Sequence, residues 1–195
     1  ALDVLLPKLE ANLGPTHVDT GHAYNARGAL HFYAGEHAAS LEAYDHALIA
    51  FRSSGGELHD QVGLVLCNQG ESLAAMQRAE EAARVFSQGL TILESTLGRE
   101  HPDLGPALKG RGLLRQQLGR TDLARADLER ALAMLEGSRD EPLELAETQF
   151  ALAGVLRELG LEPEAQRLAG QAREGFAQLG QTARETTVRL EFGLE

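Results

Sequence analysis

Tryptophan is absent from the 195-residue chain, aromatic residues amount to 5% of it, and cysteine occurs once, as Cys67. One thiol cannot form an internal disulfide, which excludes the stapled secreted scaffolds and points to a reducing compartment, the cytoplasm. Long apolar runs are missing too. None approaches the ~20 residues that span a bilayer, so no membrane insertion is expected. Positive charge is scarce: 18 Lys and Arg stand against 29 Asp and Glu, for a net charge of -11. A nucleic-acid partner demands a basic face and is excluded on that ground. β-Branched residues are few, whereas Ala, Leu, Glu and Arg, all strong helix formers, abound. With 43% hydrophobic and 24% charged residues, the composition is that of a globular chain able to bury a core, and an all-α one. Only two of the basic residues are Lys, an arginine bias expected of a GC-rich bacterial coding sequence.

What is present is one phrase written twice. LGPTHVDTGHAYNARG at residues 13–28 returns 84 residues later as LGREHPDLGPALKGRG at 97–112. Halfway between them lie Gly56 and His59, so Gly14, Gly56 and Gly98 keep a period of 42, as do His17, His59 and His101. The same step joins Gly28, Gly70 and Gly112, then Tyr44, Phe86 and Leu128, then Leu48, Leu90 and Leu132, then Phe51, Leu93 and Leu135. Self-similarity at such a period marks a solenoid. Within the first unit, a helical pattern begins at a capping candidate, Asp19 or Thr20, and stops at Gly35. A second follows, with Ala39, Ala43 and Ala47 on one stripe with Leu48 or Phe51. Gly119 and Gly160 stop the first helices of the third and fourth units. Each unit therefore reads as a helical hairpin that buries its apolar stripe by stacking on the next.

Small and bulky residues recur inside these hairpins in a fixed order. Tyr24, Gly28, Ser40, Tyr44 and Ala47 in the first unit correspond to Leu66, Gly70, Ala82, Phe86 and Gly89 in the second. The third has Leu108, Gly112, Ala124, Leu128 and Ala131, and the fourth Ala153, Ala165, Ala169 and Ala172, with one residue fewer before its turn. This order resembles the tetratricopeptide repeat. The 42-residue period and the LGREHPD linker resemble its longer-helix variety in kinesin light chains, and bacterial signalling proteins carry similar arrays. The chain departs from the pattern at Arg27, Gln69 and Arg111, where the family often has Leu, and at His31 and Arg115, where it has an aromatic. The expected organisation is a second helix of a preceding repeat at 1–13, repeats at 14–55, 56–97, 98–139 and 140–180, and a capping helix at 181–195, all one continuous solenoid. Pro7 should kink or shorten the first of these helices. The chain reads as a module cut from a longer protein.

Catalytic and metal chemistry find little footing. His22 and His31, like His37 and His46, are nine residues apart and half a turn out of phase, so neither pair can share a metal. The histidines at the 42-residue step read as helix-opening residues of the repeat. Cys67 sits in an apolar helical stretch and reads as a packed side chain. No nucleophile, base and orienter converge, so neither a cofactor nor an enzymatic role is expected of this region.

The resemblance implies a right-handed α-α superhelix whose first helices line a concave groove for a peptide or a partner's helix. Carried over by position, the groove residues are Asn25, Ala29 and Phe32, then Asn68, Glu71 and Ala75, then Lys109, Leu113 and Gln116. Asn suits a peptide because its amide both donates and accepts. Arg111, with Arg115 and Arg120, forms either a basic patch favouring an acidic ligand or pairs for acids on neighbouring helices. The expected function is a protein-binding scaffold. The rivals are a regulatory array of a larger bacterial signalling enzyme, such as a serine/threonine kinase, and a self-association module.

Overall fold

The computed structural model describes residues 2–57, 59–136 and 141–194. Among them are ten helices and no strand. Two compact units divide the chain, Ala1–Arg99 and Glu100–Glu195. The first holds α1 (Leu2–Leu13), α2 (Val18–Tyr33), α3 (His37–Gly55), α4 (Asp60–Ala75) and α5 (Ala79–Leu97). The second holds α6 (Leu104–Gln117), α7 (Thr121–Glu136), α8 (Pro142–Glu158), α9 (Glu162–Gln178) and α10 (Thr182–Phe192). Helices α2 and α3, α4 and α5, α6 and α7, and α8 and α9 pair as hairpins; α1 packs on α2 and α10 on α9. The expected boundary between the third and fourth repeats, 139–140, lies outside the described residues.

The helix ends explain two of the repeating classes. Neither Asp19 nor Thr20 opens α2. His17 does, its Nδ1 accepting the Asp19 N–H at 3.2 Å, while Thr20 is buried one turn inside and donates to the Gly14 carbonyl. His59 accepts from Gln61 N at 3.2 Å and His101 from Asp103 N at 3.3 Å. Each bond needs a neutral imidazole whose proton sits on Nε2. The first helices stop alike: Gly35 N reaches the Phe32 carbonyl and Glu36 N the His31 carbonyl, and the same pair of bonds closes the turns at Gln77, Gly119 and Gly160. These turn residues all have positive φ, which only glycine adopts without penalty, yet the α4–α5 hairpin places Gln77 there at φ 61°. Helix α1, Leu2–Leu13, continues through Pro7.

Close approach within the hairpins accounts for two more. A Cβ on Gly70 would lie 2.7 Å from the Phe86 ring, one on Gly112 2.8 Å from Leu128, and one on Gly28 closer still to Tyr44. The glycine of each first helix is the seat for the bulky residue of the second. The fourth hairpin uses small residues on both sides instead, Ala153 and Ala169, each fully buried. In the first unit Tyr44, Leu48 and Phe51 pack with Val62, Val65 and Leu66. In the second, Leu128 and Leu132 join Leu152, Leu156, Leu168 and Phe176, with Val188 and Phe192 of α10 closing the end.

Candidate functional site

Within the second unit the first helices α6 and α8 and the helix α10 form the walls of an open cavity of about 430 Å³. Its floor is apolar, built from Leu113 of α6, Phe150, Ala151 and Gly154 of α8, and the edge of Phe176 from α9. Leu113 is 36% exposed, and Phe150, Ala151 and Gly154 are half-buried, so the floor faces solvent.

Charge lies around this floor in closed sets. Lys109 Nζ is 2.9 Å from Glu144 Oε1 and 2.6 Å from Glu147 Oε2. Burial pulls the Lys109 ammonium down, but Glu144 and Glu147 together outweigh it and hold the group above its ordinary range. The other oxygen of Glu147 takes Arg184 of α10, whose guanidinium also lies 5.8 Å above the Phe176 ring. At the far end Gln116 donates to Glu158 at 2.6 Å, and Arg157 donates to the Glu191 carbonyl at 2.7 Å while covering the Phe192 ring at 4.4 Å. First helix is thus tied to first helix on both sides of the floor.

Of the residues expected in a groove, Lys109, Leu113 and Gln116 line this cavity. Arg111 does not. It turns to α7, donating at 2.8 and 2.7 Å to Asp127, which is 5% exposed and also binds Arg115. A carboxylate buried between two hairpin helices needs cations, and this one takes two. Burial, followed by the neighbouring Arg111 charge, pulls the Arg115 guanidinium down. The positive charge expected to attract an acidic ligand at Lys109 and Arg111 is therefore answered inside the chain. Gln69, another departure from the family pattern, similarly donates to Asp45 at 2.7 Å.

In the first unit Asn68 Nδ2 donates to Asn25 Oδ1 at 3.1 Å, joining α4 to α2. Phe32 is half-buried, edge-on to Tyr33 at 5.6 Å and tilted against His37 at 5.4 Å. Ala29 and Glu71 are half-buried, and Ala75 is exposed. Two further histidines of this unit stand against aromatics, His22 edge-on to Phe51 at 5.0 Å and His46 stacked on Tyr24 at 4.6 Å, while His31 Nδ1 lies 2.6 Å from Glu36. Among the described residues no three His, Cys, Asp or Glu are grouped to hold a metal ion, and no helix is long and apolar enough to cross a membrane.

Sequence reasoning missed the walls supplied by α8 and α10, although a signal existed. Phe150, Gly154 and Arg157 stand 41 residues after Lys109, Leu113 and Gln116, and Arg184 and Glu191 stand 34 after Phe150 and Arg157. Shortening the period by one residue, then by seven more, brings the same positions into register.

Helical hairpins of this kind, stacked with first helices beside one another, define a helical-repeat solenoid. Residues 19–95 and 61–137 match the tetratricopeptide repeat, and the chain belongs to that family. It is 30% identical over 140 residues to the protein kinesin light chain-related 2 of Arabidopsis thaliana, a stretch covering 68% of this chain and 20% of that protein. The chain thus spans about a fifth of the relative it matches. Its fold is similar to that of BtubC (BKLC) from P. vanneervenii, with a TM-score of 0.75 and 20% identity over 92% of this chain and 72% of that one. It is similar also to the apo form of RapI, with a TM-score of 0.80 and 18% identity over 99% of this chain and 68% of that one.

Proposed function

We propose that this chain is a protein-interaction scaffold that seats a short segment of a partner protein against its first helices. The observation that carries the reading is the open cavity of about 430 Å³ between α6, α8 and α10, whose apolar floor is left uncovered by the chain itself. Its size lies within the ~300–1,000 Å³ of ordinary ligand sites. In the first unit, the Asn25–Asn68 bond uses one donor and one acceptor, leaving Asn25 Nδ2 to donate to a peptide carbonyl and Asn68 Oδ1 to accept from its N–H.

Site-directed photo-crosslinking tests this reading. A photoreactive phenylalanine replacing Thr187, an exposed residue of the cavity wall, should give one discrete adduct in lysate of the source organism. The same group replacing Arg125 on α7, whose side chain is 38% exposed, should not. Adducts from Arg125 with none from Thr187 would place the partner on the second helices and overturn the reading.

A further inference from the structure

The cavity of the second unit also carries information about what fills it, given that it binds a partner segment at all. Three cations border it, and each is already engaged: Lys109 by Glu144 and Glu147, Arg184 by Glu147, and Arg157 by Glu191. A ligand carboxylate would have to displace an acid already held by two cations, as Glu147 is. Glu191 likewise lies against Arg157, so among the lining acids Glu158, at the far end and held by the neutral Gln116 amide, is the one left to face a ligand cation. Over the floor itself neither sign of charge finds an unanswered partner, and what the floor offers is apolar surface.

The floor has one conspicuous gap. Gly154 lies in the interior of α8, where glycine weakens a helix relative to alanine. At the matching position of the sister repeats stand Ala29, Glu71 and Leu113, all with side chains. No packing demands the glycine: a Cβ there would meet only Gln116 Nε2, at an ordinary 3.7 Å. That separates it from Gly28, Gly70 and Gly112, whose space is taken by the second helix of the hairpin. The space above Gly154 opens instead into the cavity, between Phe150 and Leu113.

We infer that the cavity of the second unit selects an uncharged, apolar partner segment, one bulky aliphatic or aromatic side chain seating over Gly154 against Phe150 and Leu113. Peptide recognition here is by shape and burial, and the surrounding ion pairs act as fixed walls. Binding is accordingly indifferent to salt, in contrast with an acidic segment captured by Lys109 or Arg184, whose attraction would be screened.

The experiment uses the whole chain and a phage-displayed random library of about nine residues, ~30 Å when extended. Selected peptides are synthesised with a fluorescent label and titrated by anisotropy. The expected consensus carries Leu, Ile, Phe or Trp with near-zero net charge, and the dissociation constant should change less than about twofold between ~0.1 and ~1 M NaCl. Gly154→Leu should weaken binding ~10-fold or more by filling the seat. Gly154→Ala, which cannot harm folding by clash, should raise the melting temperature and yet weaken binding about fourfold, one methyl group's worth of lost burial. Peptides rich in Asp or Glu that dissociate in salt would overturn the inference, as would peptides indifferent to both Gly154 variants. In the latter case loss of binding in the Asn25→Ala/Asn68→Ala chain would still leave the scaffold reading standing, whereas a library yielding no binder would overturn both.

Discussion

At Gln77 the chain keeps a side chain where its sister turns have Gly35, Gly119 and Gly160, and it does so at φ 61°. A left-handed residue with a Cβ costs ~1–2 kcal/mol, of which glycine's greater chain entropy returns ~0.5–1 kcal/mol. Gln77→Gly should therefore stabilise the chain by ~0.5–1 kcal/mol, read as a higher urea midpoint at unchanged slope. The opposite substitution rule applies at Gly70, where a Cβ would stand 2.7 Å from the fully buried Phe86 ring. Overpacking of this kind costs ~1–3 kcal/mol, so Gly70→Ala should lower the midpoint, and Phe86→Leu in the same chain should recover part of the loss. An additive double mutant would separate the two residues. The second of these sites was readable in the sequence, since a glycine and a bulky residue repeating at one step imply that they meet. Asp127 was not readable, because a lone acid on a helix looks solvated until Arg111 and Arg115 are seen to fold over it. Removing it leaves two guanidiniums without an anion. With those side chains 17% and 23% exposed, Asp127→Ala should cost about 2–3 kcal/mol, below the ~3–5 of a fully buried pair.

Helix ends show how far residue preferences reach. Asp19 and Thr20 have the residue types that favour an N-cap, yet His17 holds the position because imidazole Nδ1 stands where a shorter side chain would place its oxygen. The 42-residue recurrence of His17, His59 and His101 marked these positions as helix openers; His17 and His59 hold that place, whereas α6 opens at Asp103 and His101 accepts the N–H of that residue from two positions earlier. His59→Ala should cost ~1 kcal/mol, as other lost caps do, and His59→Asn should restore most of it, short of the contribution from the ring stacked on Phe51 at 6.2 Å. Equal loss in both variants, by thermal unfolding, would assign the role to the stacking alone. Pairing of helices into hairpins was legible from periodicity, since each apolar stripe needs a partner. The cavity was half legible: the α6 wall followed from the repeat, but the fourth repeat's shortened step shifted Phe150, Gly154 and Arg157 out of register. Nor does any spacing rule link Lys109 to Glu144 and Glu147, because that choice depends on how α6 lies beside α8.

At the scale of the whole molecule, the two units should part company in alkali. All three tyrosines belong to the first unit, and two of them, Tyr24 and Tyr44, are buried. Burial pushes both phenols up to about 12, and at Tyr24 the hydrogen bond donated to Glu10 at 2.6 Å adds to it. In the unfolded chain the same groups titrate near 10. The folded state therefore binds these protons more tightly, and linkage gives the first unit a stability that is complete below pH 10 and lost as the pH rises through about 12. In the second unit Lys109 is also held above its ordinary value, and its ion pairs with Glu144 and Glu147 are complete below 10.5 and lost as the pH rises past it. Since each repeat of a solenoid leans on its neighbours, two ionised phenols in adjacent helices should melt the α2–α3 hairpin and what stacks on it. The measurement is tyrosinate absorbance against far-ultraviolet circular dichroism over rising pH, in a Tyr33→Phe chain so that only the buried phenols report. Ionisation should lag well behind pH 10 and coincide with partial loss of helix. Replacing Tyr24 and Tyr44 together by Phe should remove that loss between pH 10 and 12 while leaving the chain folded at neutral pH. Phenols that ionise near pH 10 with helix content intact would show that water reaches both rings, and the alkaline weakness of the first unit would then have to come from another group.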